Sequence, residues 1–202
     1  MRGIVAVVAA ALAVAGCTGS AGTSAEPTVP TAAPTTPTTA PLDVSVIPEV
    51  IDERYLAEVL AALDEVDSEA TRMIVAAKNV TPAAADYLNA VYSDEEVDRQ
   101  LENWYRSIAD DLELKGIRPS PGNRVTTVER VISASPACVW LAVRRDYSAV
   151  NFDPGPEEIE YVALRPLDPT NDVRGVNPTG WMITDDVLLA DGSEPRNRCL
   201  SE

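Results

Sequence analysis

The apolar residues of this chain change their spacing partway along it, and that change limits the fold more than any single motif does. From about residue 52 to residue 117 they recur every three or four positions. From residue 124 they alternate, or run together in short stretches rich in Val, Thr and Ile. The first spacing lines one face of a helix and the second lines the faces of strands. In the first half, Leu56, Val59, Leu60, Leu63, Val66, Ala70, Met73, Ile74 and Ala77 make one stripe, with Asp64, Glu65, Asp67 and Glu69 between them on the other side. A long amphipathic helix is predicted over 52–78, with Asn79 as the residue that ends it. Thr81-Pro82 reads as an N-cap with proline at the first helical position, opening a short helix to about Tyr92. Ser93-Asp94-Glu95-Glu96 fits a capping box for a third helix, whose buried stripe is Val97, Leu101, Trp104, Ile108 and Leu112. Lys115-Gly116-Ile117 with Pro119 is a stop signal.

The second half predicts four antiparallel strands, over 124–135, from Cys138 through Tyr147, over 159–167 and over 181–189, separated by loops of Pro, Gly, Asn and Asp. Helices followed by a run of strands predict an α+β fold, with three N-terminal helices packed on a four-stranded antiparallel sheet in one domain spanning 42–202.

Two segments precede that domain. A single positive charge at Arg2 leads into a charge-free apolar run, Ile4 to Ala15, too short for the roughly 20 residues that span a bilayer. The run closes on Val14-Ala15-Gly16-Cys17, which resembles the bacterial lipobox. The resemblance implies a signal peptide over 1–16 and lipidation of Cys17, with export and anchoring at the outer face of the cytoplasmic membrane or cell envelope. Residues 18–41 are Thr, Pro, Ala, Ser and Gly apart from Val29 and Glu26, the one charge. Such a stretch cannot bury enough surface to offset its chain entropy, so it reads as a disordered stalk, roughly 70 Å long if fully extended.

Lipidation of Cys17 leaves two of the three cysteines, Cys138 and Cys199. In an exported chain these favour a disulfide that clamps the polar tail to the sheet. A redox pair is the rival reading, without the C-x-x-C spacing that would support it.

Three helices leading into a four-strand meander resemble the cone-shaped nuclear-transport-factor-2-like (cystatin-like) architecture; a plain helical layer on a sheet is the alternative. Cones of this type often enclose a pocket between sheet and helices. Trp104, Tyr105, Trp140, Tyr147, Tyr161 and Trp181 are the candidate lining residues, and for the tryptophans a core role is the competing assignment. Ketosteroid isomerase, a relative by fold, uses an aspartate base with a tyrosine-containing oxyanion hole. Asp86, Asp98, Tyr92, Tyr105, Tyr147 and Tyr161 are residue types that would supply such groups, but no motif aligns them, so no catalytic residue is assigned.

The chain contains no histidine, which removes Ser-His-Asp and Cys-His catalysis and His-ligated zinc. Its net charge of −16 disfavours nucleic acid as a partner. From Asp43 to Lys115 there are 18 acids against 6 bases. This is either a solvated surface or a face for a cation or a basic partner. The stretch from Asp168 to Gly175 has the wrong spacing for an EF-hand and reads as a turn cluster, as does Asp185-Asp186. Arg144 and Arg145 point to opposite faces of their strand, one suited to an ion pair and the other to a groove. No cofactor and no metal are expected. The expected role is a membrane-anchored, non-catalytic binding module in the cell envelope, with an envelope protein or a small apolar ligand as partner. A carrier of small molecules or lipids, and a histidine-free isomerase or hydrolase, are the alternatives.

Overall fold

The computed structural model describes residues 42–110, 116–155, 158–168, 175–189 and 193–200. The signal, Cys17 and stalk assignments, and most of the turn cluster after Asp168, lie outside the described residues.

Helix α1 (Glu53–Ala77) starts where Asp52 accepts a hydrogen bond from the Tyr55 amide, 2.7 Å away. Its left-handed terminal residue is Lys78 (φ 50°), not Asn79, whose amide still reaches back to the Ile74 carbonyl. Helix α2 (Pro82–Val91) is capped by the Thr81 side chain on the Ala84 amide. Helix α3 (Asp94–Gln100) follows after two residues. Ser93 occupies its N-cap position without a side-chain bond, so the expected capping box does not form. Glu96 is instead buried and engaged by Arg99 and Gln100.

Past α3 the chain makes a π-helical turn, Leu101–Tyr105, and continues as α4 (Arg106–Asp110). A π turn adds a residue to the helical repeat and shifts the phase of everything after it. The buried stripe therefore runs through Val97, Tyr105 and Ile108, and Trp104 turns only half inward. Leu112 lies outside the described residues.

Strands β1 (Val125–Ser135), β2 (Cys138–Asp146), β3 (Ile159–Pro166) and β4 (Trp181–Leu188) form one antiparallel sheet in the order β1-β2-β3-β4. The inner face of β2 and β3 carries Val139, Leu141, Val143, Val162 and Leu164, which pack with Leu56, Val59, Leu60, Leu63 and Ile74 of α1 as one core. The outer face carries Trp140, Ala142, Tyr161 and Ala163, and Cys199 packs on them. The Cys138–Cys199 disulfide holds the tail across that face, as the cysteine count predicts.

Edge strand β4 is tied to the helices. The Ser93 amide donates to the Ile183 carbonyl at 2.9 Å, and Tyr92 bridges to the same residue. Trp181 is fully buried and its indole N–H donates to Tyr55 Oη at 2.9 Å. Just before it, a side chain on Gly180 would meet Ile47 Cγ1 and the Ser45 carbonyl, both 3.1 Å from the added Cβ, so glycine lets the segment before α1 lie close. Among the described residues, no helix is long and apolar enough to cross a membrane.

Candidate ligand cleft

Two acids expected on the solvent side of α1 because of their charge are buried. Asp64 and Asp67 lie on the same helical stripe as Leu60, Thr71 and Ile74, and each is under 5% exposed. The cause is Arg124, which precedes β1 and enters the protein beside them. Its Nε donates to Asp64 Oδ1 at 2.6 Å, and its Nη1 lies 3.1 Å from Asp67 Oδ2 and from Tyr92 Oη. Asp64 also accepts from the Thr126 amide at 2.6 Å and the Thr126 hydroxyl at 2.9 Å. Asp67 accepts from the Tyr92 hydroxyl at 2.9 Å and from the Tyr105 hydroxyl. Buried ions persist when they are paired and their remaining lone pairs are filled, and both carboxylates meet that condition.

A second pair stands beside it on the sheet. Inner-face Arg145 on β2 directs Nη1 to Glu160 on β3 and to Asp186 Oδ2 on β4, 2.8 Å away. Burial opposes the Arg145 charge, but Asp186 and its other acidic neighbours hold the guanidinium well above its ordinary value. Arg124 is held up likewise, chiefly by Asp67, Tyr92 and Asp64 against the pull of burial. Burial pushes Glu160 upward; Arg145 draws it back and Asp186 adds to the rise. Burial raises Tyr92 and Tyr105 well above the ordinary phenol range and pushes Tyr147 up to about 12, so all three are hydroxyl donors at neutral pH.

Of these groups, Tyr105, Arg124, Arg145, Tyr147, Glu160 and Asp186 line a cleft of about 660 Å³ between the sheet and the helical segment 94–110. The volume is within the roughly 300–1,000 Å³ of small-molecule sites. Trp104 and Tyr147 make one wall, with ring centroids 6.2 Å apart. Asn151 contributes from the loop after β2, where its backbone N–H donates to the Tyr147 carbonyl at 2.8 Å and Ile117 bridges to it. Asp146 and Glu158 also line the cleft.

Of the aromatic residues considered from sequence, Trp104, Tyr105 and Tyr147 line the cleft. Trp140 and Tyr161 do not; they stack on the outer face with centroids 6.0 Å apart, because even-numbered residues of β2 and odd-numbered residues of β3 point that way. Trp181 is core. Asp86 and Asp98 are exposed on α2 and α3, away from the cleft. Asp185-Asp186 is no turn: both residues are in β4, Asp185 reaching Arg99 and Arg198, and Asp186 reaching Arg145. Arg144 pairs with Glu129, while Arg145 both pairs and lines the cleft. Among the described residues no group of His, Cys, Asp or Glu is placed to hold a metal.

Comparison with family models, with curated proteins and with solved structures finds no match for this chain.

Proposed function

We propose that the protein is an exported, lipid-anchored binding module of the cell envelope whose cleft holds a small ligand without transforming it. Its arrangement is read as a nuclear-transport-factor-2-like cone, supported by the order of helices and then β1–β4 and by a cleft between sheet and helices. The observation that carries the binding reading is the lining of that cleft. Two buried, ion-paired guanidinium groups, Arg124 and Arg145, stand in it. Buried charge of this kind adds little stability over a well-packed apolar core, which favours a role in recognition. The polar lining argues for a polar ligand over the apolar cargo of a lipid carrier.

The anchor rests on Val14-Ala15-Gly16-Cys17. The Cys17→Ala variant, followed by fractionation, is expected to move the processed protein out of the membrane fraction; continued retention overturns the anchor. The cleft is tested on the full chain by ligand-observed NMR with a mixed library of small polar and apolar fragments, run beside Asn103→Trp, which fills the cleft from its exposed helical wall. Fragments that bind the parent and not the filled variant support the reading. A library without such fragments overturns it.

A further inference from the structure

Among the described residues, four buried side-chain polar atoms lack a protein hydrogen-bond partner: Arg124 Nη2, Arg145 Nε, Asn151 Oδ1 and Trp140 Nε1. Three of the four belong to residues that line the one cleft. Buried polar atoms are nearly always satisfied, so three orphans on residues of one lining mark it as having unmet hydrogen-bonding capacity, which suits a polar ligand. Their chemistry narrows what that ligand is. Two are guanidinium N–H donors, which call for oxygen acceptors. The third is an amide, which offers an oxygen or, turned over, a nitrogen.

An anion is disfavoured even though arginines are present. Arg124 already faces Asp64 and Asp67, and Arg145 already faces Glu160 and Asp186. Asp146 and Glu158 add two more acids to the lining. A carboxylate or phosphate entering there meets four lining acids, Asp146, Glu158, Glu160 and Asp186, against two cations, and close like charges exclude wrong ligands. A cation is disfavoured for the opposite reason, since the unpartnered groups on the arginines are donors. A hydroxyl accepts from a guanidinium and donates to a carboxylate or amide oxygen, and it carries no charge. The rings of Trp104 and Tyr147 supply an apolar wall for the C–H face of a saturated ring.

Resting on the cleft-binding reading above, we propose that the ligand is a neutral polyhydroxylated ring, a sugar, with its hydroxyls against the side chains of Arg124, Arg145 and Asn151.

The test uses three neutral sugars (glucose, N-acetylglucosamine and maltose) and two charged versions of the glucose ring: glucuronate, and glucosamine below neutral pH where its amine is protonated. Each is titrated into the full chain and followed by ligand-observed NMR, with the Asn103→Trp variant as the filled-cleft control. At least one neutral sugar is expected to bind, more tightly than both charged rings, and to lose binding in the filled variant. Arg124→Lys is expected to weaken it roughly tenfold, as loss of a hydrogen bond to a charged group does. Because that change also touches the buried pairs, Asn151→Ala is the second variant, expected to weaken binding roughly fivefold with no loss of folding. If glucuronate or glucosamine binds as well as the neutral sugars, the sugar assignment falls while the cleft reading stands. If no neutral sugar binds but library fragments still occupy the cleft, the result is the same. If neither sugars nor fragments bind, both fall.

Discussion

Arg124 Nε and Asp64 Oδ1 lie 2.6 Å apart, joining the entry to β1 to the middle of α1 across 60 positions of sequence. The same guanidinium reaches Asp67, so one cation compensates two buried carboxylates. Arg124→Met keeps much of the side-chain volume and removes the charge, leaving both acids in the core without it. The expected loss is about 3–5 kcal/mol, measured by urea denaturation. Arg72→Met removes an ion pair to Glu69 in which both side chains are about a third or more exposed, and should cost less than about 1 kcal/mol. Equal losses from the two variants would mean that the buried pair is not what holds this end of the cleft.

The relationship also shows where sequence reasoning stops. The elements are legible because their signals are local. Alternation from Cys138 to Arg145 marks β2 and tells its faces apart, and Thr81-Pro82 marks the start of α2. Asp64 and Asp67 carry a signal too, since both fall on the Leu60–Ile74 stripe, but an acid on an apolar stripe is read as surface unless its partner is known. That partner arrives from 60 residues away. The wall of the cleft is hidden for another reason. A π turn at Leu101–Tyr105 alters the helical phase, so the spacing that puts Trp104 in the core instead buries Tyr105 on Asp67 and leaves Trp104 at the cleft. Nothing in the residues of that turn announces it.

The disulfide joins residues 61 apart and presses the tail onto Trp140 and Tyr161. Closing a loop of that length is worth about 4 kcal/mol in the chain-entropy model. The Cys138→Ser, Cys199→Ser double variant should lose stability of that order in denaturant titrations. The cleft is on the opposite face of the sheet, so fragment binding by the folded double variant should be unchanged. Loss of binding in a variant that still unfolds cooperatively would show that the clamp shapes the cleft.

Lys78 ends α1 with φ 50°, in the left-handed region where a side chain is strained and glycine is not. Lys78→Gly should therefore raise stability by about 0.5 kcal/mol, after the greater entropy of an unfolded glycine is set against the relieved strain. Lys78→Ala keeps the Cβ and removes the charge, and should give no gain. A rise in the melting midpoint for the alanine variant as large as that for glycine would assign the effect to charge and not to backbone conformation.

Glu160 binds its proton more readily in the folded protein than in the unfolded chain, because burial outweighs the pull of Arg145 and Asp186 adds to the rise. A carboxyl with a raised folded value contributes stability that is fully present below the ordinary glutamate range and is lost as pH climbs through the raised value. Glu160→Gln removes that proton exchange while keeping the shape and a donor toward Asp186. Melting midpoints of parent and variant, followed from below the ordinary glutamate range upward, should diverge in one direction, the parent losing ground to glutamine as pH rises. A difference that stays flat, or that moves in the parent's favour, would mean that Arg145 holds Glu160 ionised and that the cleft carries one more negative charge than its burial suggests.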